Sequence, residues 1–430
     1  MKRLILAVVA VLIVCALLSS CSGGNKTADG VIYSMRFLSD NMVYYNVNGG
    51  HIMFSVLEDA DESYYACADP LCNHNDTRCP AYAHIIQYTL IVPQKDNPFP
   101  LVYIFSRRPT SEYIDGEWIH HSNEEVNLGR TTVYNGATNE SRVLAETDYS
   151  RVLGAWYLDG KIYMSVEYNH GGLGYKVGVI DSVTGEYEEV KSGEADVAGL
   201  GISGDRFYYI TDRGNVYSCD LSLGDIREEY DCGVSPKRQD SRTVTAYVDS
   251  GMLYFERNCR IPEKMQGDEM ATFFMISDVY AVRLDNIEAG ETLVAEGVRQ
   301  FKPYGGDLYY TVWDYDDFGI YACDDNCVRN IISSDGGTLY RYDQMSSESS
   351  ACVTDIGTDF YEFYDVTDEY VLFEGLQYDD VENYNTEDAY NMKYFFNYIC
   401  VCNIKTGEWH VVCHTYSDPD EYGRALWSVS

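Results

Sequence analysis

The sequence predicts an all-β fold, a single β-propeller in which seven blades of four antiparallel strands follow a lipoprotein signal peptide. Three observations predict it. Tyrosine is very abundant, at 40 of 430 residues, whereas proline occurs only 10 times. No window shows sustained helical periodicity, and short aromatic strands recur after turns that contain Asp or Gly. Aromatic and β-branched side chains favour pleated, half-buried surfaces.

The recurring unit is a turn followed by an aromatic strand, and it is repeated at intervals of about 44 to 63 residues. This spacing is near the period of four-stranded propeller blades lengthened by loops. Because the first two copies are the least regular, six or eight blades are alternatives to seven. The seven copies are SDNMVYYN (39–46), FPLVYIFS (99–106), LDGKIYMS (158–165), SGDRFYYI (203–210), DSGMLYFE (249–256), GGDLYYTV (305–312) and TDEYVLFE (367–374).

Hairpins follow these copies, as in residues 175–190 and 397–412. Thr184-Gly185 and Thr406-Gly407 stand where a hairpin needs a residue with positive φ, which glycine adopts without a Cβ clash. A lone four-stranded blade cannot bury both of its faces, so stacking around an axis is the physical solution. A solenoid or two stacked β-sandwiches are the alternative architectures for such a repeat.

The segments DGKIY (159–163) and VIDSVTGEY (179–187) resemble the repeats of lipid-anchored, TolB-like or WD-repeat-like β-propellers of bacterial surfaces, a group of unknown function. The resemblance covers nearly all of the chain after the signal. It implies a propeller fold and, through TolB-like propellers, protein binding. The WD dipeptide is absent from the blade ends, so the resemblance does not imply the scaffold role of intracellular WD-repeat proteins.

The N-terminus predicts the cellular location. Lys2 and Arg3 precede an apolar run from Leu4 to Leu18, and Leu18-Ser19-Ser20-Cys21 resembles a lipobox, where the signal is cut and Cys21 is lipidated. We therefore expect a signal peptide at 1–20, a lipidated Cys21 with a flexible tether at 21–30, and the propeller at 31–430. An uncleaved transmembrane anchor is the alternative. The expected location is the extracytoplasmic face of the cell membrane.

Charge limits the possible partners. Without residues 1–20 the chain has 29 basic and 68 acidic residues, a formal charge of −39. A surface this acidic excludes nucleic acid as the expected partner, because phosphate backbones are bound by positive patches. We expect a monomer attached to the membrane only by its lipid.

The cysteines permit disulfides, since export places the chain in an oxidising compartment. Twelve cysteines remain after Cys15 and Cys21 are set aside. If Thr406-Gly407 is a two-residue turn, Cys400 faces Cys413 across the final hairpin, and a bridge between them is expected. Cys219 and Cys232 flank another hairpin and form a second candidate pair; Cys323 and Cys327 form a third.

The densest cluster is Cys67, Cys72, His74 and Cys79 within CADPLCNHNDTRCPAY. Three thiolates and one imidazole make a complete tetrahedral zinc set. Similar Cys-Pro-Cys-His-Cys segments occur in the first blade of the surface propellers that the chain resembles. Export favours instead a structural disulfide of Cys67 with Cys72 or Cys79 that leaves His74 exposed. Redox or other thiol chemistry is a third interpretation. The one-residue gap between Cys72 and His74 is expected to strain simultaneous ligation.

Local catalytic motifs are absent: there is no G-x-S-x-G, H-E-x-x-H, P-loop or G-x-G-x-x-G. Asp314, Asp316 and Asp317 form an acidic group that could bind calcium or contribute to an axial carboxylate site, although a solvated loop is the more common explanation of such a cluster. Aromatic residues in loops could stack on sugars or anchor a protein. The candidates for this role are Trp118, Trp156, Trp313 and Trp409.

The sequence therefore favours a non-catalytic, lipid-anchored binding module for a protein or a cell-envelope glycan. Two alternatives remain at this stage. One is a carbohydrate-active enzyme with axial carboxylates, and the other is a metal-handling surface protein that uses the Cys67/Cys72/His74/Cys79 cluster, with zinc or calcium as the possible cofactors.

Overall fold

A computed structural model describes residues 37–414 of the chain. It omits the residues 40–41, 48–49, 57–58, 70, 73, 75–77, 84–85, 95–96, 115–116, 123–127, 170–172, 191–195, 234–245, 264–274, 314–318, 324–326, 334–336, 357–359, 368 and 379–394. The predicted signal peptide, Cys21 and the tether lie outside the described residues, as do Asp314, Asp316 and Asp317. Within the described part, no helix is long and apolar enough to cross a membrane.

The first four sheets each contain four antiparallel strands. The second sheet has the order β10-β9-β6-β5, with the small hairpin β7–β8 inserted between β6 and β9. The strands are β1 (Phe37–Ser39), β2 (Met42–Val47), β3 (His51–Val56), β4 (Asp59–Tyr65), β5 (Ile86–Gln94), β6 (Asn97–Arg107), β7 (Ser111–Ile114), β8 (Glu117–His120), β9 (Gly129–Asn135), β10 (Glu140–Thr147), β11 (Arg151–Leu158), β12 (Lys161–Asn169), β13 (Leu173–Asp181), β14 (Tyr187–Glu189), β15 (Val197–Ser203), β16 (Arg206–Thr211), β17 (Asn215–Asp220) and β18 (Arg227–Asp231).

The second half of the chain contributes a seven-stranded sheet, a final four-stranded sheet and a separate hairpin, β24–β25. A short 3₁₀ turn at Ile287–Ala289 precedes β22. The strands are β19 (Ala246–Asp249), β20 (Met252–Arg260), β21 (Ile276–Arg283), β22 (Thr292–Tyr304), β23 (Asp307–Trp313), β24 (Gly319–Cys323), β25 (Cys327–Ser333), β26 (Gly337–Asp343), β27 (Glu348–Ile356), β28 (Phe360–Val366), β29 (Tyr370–Tyr378), β30 (Phe395–Asn403) and β31 (Trp409–His414).

The long strand β22 joins two units of the seven-stranded sheet. Its first half pairs with β21 and its second half, from Val298 to Tyr304, pairs with β23. Five four-stranded sheets are separate, and the predicted total of seven blades requires this sheet to be divided at β22. That count stays a prediction.

The predicted repeats all fall on equivalent strands. Each of the seven aromatic copies contains a strand that follows the first strand of its four-stranded unit: β2, β6, β12, β16, β20, β23 and β29. The two hairpins quoted from the sequence are β13–β14 and β30–β31, which end their units. The aromatic repeat in the sequence thus marks the second strand of each unit.

Successive sheets pack face to face, because apolar side chains project from both faces of each sheet. In β6, Val102 and Ile104 belong to the core shared with the first sheet, whereas Tyr103 and Phe105 belong to the core shared with the third. The first strands of successive units lie against one another. The all-β chain is therefore arranged as a β-propeller, as the sequence predicts.

Three loops at the ends of these units share one construction. In each, an Asp or Asn oxygen accepts two backbone N–H groups, and the fifth residue has positive φ and donates its N–H to the first carbonyl. This is an Asx-type turn, which short polar side chains favour. The residue pairs are Asp181 with Gly185, Asp343 with Ser347, and Asn403 with Gly407.

This loop corrects the expected pairing of Cys400 with Cys413. The last hairpin closes with four loop residues rather than two, because Asn403 N–H donates to Glu408 O at 2.9 Å. Cys400 therefore lies opposite Val411, and a bulge places Cys413 opposite Ile399. Cys400 is a free, buried thiol. The predicted facing pair is wrong by the two residues that the Asx-type turn adds to the loop.

The Cys219–Cys232 pairing is also wrong. Cys219 is buried in the core between the third and fourth sheets, and Cys232 in the core on the other side of the fourth sheet. Both are free thiols. Cys323 and Cys327 are partners in the backbone register of β24–β25, and their side chains lie outside the described part of the structure.

Gly50 provides a test of the packing in the first sheet. Its φ is +87°, and a Cβ placed there would lie 1.8 Å from the carbonyl oxygen of Ala83. We expect Gly50→Ala to lower the free energy of unfolding by more than about 3 kcal/mol, because backbone cannot yield as a side chain can. Urea denaturation of the full chain in detergent measures the change.

The matched control is Gly251→Ala, since Gly251 has a similar φ of +81° but open space around its Cβ position. Only the left-handed strain applies there, and we expect a loss of about 1 kcal/mol. Equal losses in the two variants would contradict the close approach of residues 50 and 83.

Candidate metal centre

The connection between β4 and β5 brings Cys67, Cys72, His74 and Cys79 together. One ligand atom from each residue lies within 4.8 Å of those of the other three. These four residues are called the Cys/His centre below. The predicted cluster is therefore a group in space as well as in sequence.

The strand β3 positions the two outer cysteines. Ala66 N–H donates to Ile52 O at 2.9 Å, which holds Cys67 at the end of the β3–β4 ladder. Ile52 N–H donates in turn to Ala81 O at 3.0 Å, and Ala83 N–H donates to Gly50 O at 2.8 Å. The chain thus returns to β3 directly after Cys79, so both cysteines are held by the same strand.

The second sheet also contacts the centre. The Tyr134 hydroxyl, on β9, donates to Ala66 O and contacts Asn139 Oδ1 at 3.2 Å. Asn139 Oδ1 also accepts the N–H of Ala68 at 3.0 Å. Because Tyr134 and Asn139 belong to the β9–β10 hairpin, the Cys/His centre lies at the junction of the first and second sheets.

The inner residues Cys72 and His74 are positioned by the loop itself. Leu71 N–H donates to Asp69 Oδ1 at 2.9 Å, and Cys72 N–H donates to Asp69 O at 3.2 Å, which forms a turn. His74 has a left-handed φ of 55°, and its ring stacks on Tyr65 with centroids 4.2 Å apart. The left-handed backbone redirects the His74 side chain, so the one-residue gap does not keep it from the group.

Burial divides the centre into two halves. Cys67 and Cys79 are buried, whereas Cys72 and His74 are half-buried. Burial raises the pKa of the Cys79 thiol far above its usual range, and the neighbouring Cys67 and Cys72 raise it further. Nearby, burial lowers the pKa of His51, and so does His74. In the metal-free state the Cys79 thiol is thus protonated at neutral pH.

The distances fit a tetrahedral thiolate–imidazole site. Cys79 Sγ and His74 Nδ1 are 3.5 Å apart. Metal bonds of about 2.3 Å to sulfur and about 2.0 Å to nitrogen require about 3.5 Å between those ligands. Cys67, Cys72 and Cys79 are free thiols. The group can therefore hold a metal ion.

The other sequence candidates lie elsewhere. Trp156 is buried between sheets, and Trp409 packs against the last core. The side chain of Trp313 lies outside the described residues. Trp118 is the candidate that the structure places at the surface: it is 47% exposed and lies opposite Tyr113 in the β7–β8 hairpin.

Electrostatic interactions link residues on the first strands of three different units. The first strands β5, β19 and β28 contribute Tyr88, Tyr247 and Asp365, and burial, followed by Asp365 and Tyr247, raises the pKa of Tyr88. The Tyr247 ring contacts Phe301 edge-on at 5.6 Å. Sequence reasoning did not identify this group, because contacts between distant strands leave no local motif.

A second set missed by the sequence lies beside the Cys/His centre. Arg130 forms ion pairs with Glu112 and Glu146, and His121 Nε2 lies 3.7 Å from Glu112 Oε1. Charged residues spread over 35 positions of an acidic chain give no spacing signal. Only the pairing of β6 with β9 and the inserted hairpin bring them together.

Comparison with known proteins leaves the activity open. No protein-family model and no curated protein matches the chain. Among solved structures, the β-propeller domain of the Trilobed protease from Pyrococcus furiosus is similar, with a TM-score of 0.47 and 14% identity over 90% of this chain and 99% of that chain.

Two peptidases are also similar over part of their length. Pyrococcus horikoshii acylaminoacyl peptidase has a TM-score of 0.47 and 12% identity, over 91% of this chain and 54% of that one. A Mycobacterium tuberculosis puromycin-hydrolyzing peptidase has a TM-score of 0.43 and 12% identity, over 86% and 50%. The chain spans about half the length of these peptidases.

Thiol alkylation tests the geometry of the Cys/His centre. In chelator-treated protein we expect iodoacetamide to modify Cys72 at least about tenfold faster than Cys79, because Cys72 is half-buried while Cys79 is buried with a raised pKa. Peptide mass spectrometry of timed samples gives the two rates. Equal rates, or faster modification of Cys79, would contradict the arrangement.

Proposed function

We propose that the Cys/His centre binds one zinc ion as a structural site, in a lipid-anchored extracytoplasmic propeller that binds a protein or a cell-envelope glycan without catalysis. The convergence of four ligand atoms within 4.8 Å carries the zinc proposal. Thiolate and imidazole ligands select zinc over calcium, which takes oxygen ligands. A site with four protein ligands has no open position for substrate, which is typical of structural zinc.

The position of the centre explains what the metal would stabilise. Cys67 and Cys79 are held by β3, and Tyr134 and Asn139 of the second sheet bond to the backbone at Ala66 and Ala68. Zinc would therefore fix the loop that fills the junction of two blades. Its binding energy is then part of the folding energy of the first blade.

The binding role is supported by the β7–β8 hairpin. Tyr113 and Trp118 are 42% and 47% exposed, and their rings form a pair with centroids 5.5 Å apart. Exposed aromatic pairs of this kind supply contact area to a partner at low entropic cost. The lipid anchor at Cys21 and the surface location follow from the signal sequence, and together they place this hairpin outside the membrane.

Metal analysis of protein purified anaerobically tests the zinc proposal. We expect about one zinc per chain in the wild type and almost none in Cys72→Ser, since the variant loses a ligand that is only half-buried. A chelator should lower the wild-type stability by at least about 3 kcal/mol and leave Cys72→Ser unchanged.

Cys259→Ser is the matched control, because Cys259 is also a half-buried cysteine but belongs to β20. It should keep both the zinc and the response to chelator. Wild-type protein without metal, or with a Cys67–Cys72 or Cys67–Cys79 disulfide in peptide maps, would refute the zinc site.

A further inference from the structure

We propose that a pocket beside the Cys/His centre binds the C-terminal carboxylate of a peptide that is otherwise neutral or basic. The inference rests on the proposed binding role and names its partner class. The pocket has a volume of about 140 Å³ and lies between the 79–83 segment, the second sheet and the β7–β8 hairpin. At about 30 Å³ per water, this space holds one carboxylate and its neighbouring atoms.

Arg107 is the cation that a carboxylate would meet. Arg107, Arg130 and Glu112 are the charged residues that line the pocket. Glu112 is in an ion pair with Arg130, whose Nε also donates to Glu146 at 2.8 Å. The buried Nε of Arg107 has no hydrogen-bond partner among the residues that the structure describes. Among the charged residues that line the pocket, two arginines outnumber one glutamate, and the guanidinium of Arg107 can bind a carboxylate through two parallel N–H bonds.

The neutral lining suits the same ligand. Ser106, Thr132 and Ser141 contribute hydroxyl groups, which donate to carboxylate oxygens. Tyr113 forms part of the wall, so the exposed Tyr113–Trp118 pair stands next to the opening. A side chain before the terminal residue of a peptide would contact these rings.

The edge strand of the second sheet, β10, can pair with the backbone of the peptide. Ser141 and Val143 line the pocket from β10, which has a neighbour on only one side in its sheet. Residues Glu140 to Val143 are exposed. An extended chain can pair with such an edge, as in recognition by strand addition, while its terminus is bound separately.

The charge of the whole protein decides between peptide and acidic glycan. The chain has a formal net charge of −37. This field repels a polyanion and attracts a basic chain, so one local positive charge selects a ligand with one carboxylate on a neutral or basic body. A peptide C-terminus fulfils this condition, whereas a repeating acidic glycan does not.

Matched peptides test the proposal with the full chain in detergent. The probes are arrays of hexapeptides rich in lysine, attached through their N-termini, each made both as the free acid and as the C-terminal amide. We expect acids to bind at least about tenfold more tightly than their amides, since the amide loses a charge-assisted contact. Isothermal calorimetry on the best pair gives the ratio.

Variants locate the binding. Arg107→Gln should abolish the preference for acid over amide, and Ser141→Glu should do so too, because it places a carboxylate in the pocket from an exposed strand position. Arg213→Gln, at an exposed arginine in the turn between β16 and β17, is the charge-matched control and should keep the preference. Trp118→Ala should weaken acid and amide equally. Zinc content and circular dichroism confirm that each variant folds.

Equal binding of acid and amide, or a preference that survives in both Arg107→Gln and Ser141→Glu, would overturn the peptide site. Tighter binding of a glucuronate-containing tetrasaccharide than of its carboxyl-reduced form, lost in Arg107→Gln, would overturn it in favour of a glycan and leave the binding role intact. If no peptide, glycan or pulled-down protein binds, both the peptide site and the binding role fail.

Discussion

Each sheet of this protein depends on its neighbours, because a four-stranded blade has two apolar faces and no way to cover either alone. Successive side chains of β6 point to opposite faces and show this dependence. Val102 and Ile104 pack towards the first sheet, and Tyr103 and Phe105 pack towards the third. The core on each side of β6 is thus shared by two sheets. The Cys/His centre lies at the junction of the first and second sheets, where a loop rather than a strand covers the core.

The position of the strands was predictable from the sequence, and their register was not. Aromatic repeats identified the second strand of each unit, since a turn followed by an aromatic run is a pattern of neighbouring residues. The register of the last hairpin depended on whether Asn403 forms an Asx-type turn, and that choice moved the partner of Cys400 by two residues. In the fourth sheet, Cys219 and Cys232 face different cores. Sequence distance alone could not assign those faces.

The Cys/His centre was predictable in part, because its residues are close together in the sequence. Cys67, Cys72, His74 and Cys79 form a local cluster, and the sequence identified all four. It left disulfide and metal as competing interpretations, because the outcome depends on the left-handed backbone at His74 and on the anchoring of Cys67 and Cys79 to β3. The pocket around Arg107 left no signal, since its lining residues come from three segments that only the propeller brings together.

The central claim is that three thiolates and one imidazole hold zinc at the junction of two blades. X-ray absorption at the zinc edge of the purified protein tests this most directly, because it measures the ligands around the metal. We expect three sulfur ligands at about 2.3 Å and one nitrogen at about 2.0 Å. A shell made of oxygen and nitrogen alone, or protein that carries no zinc, would contradict it.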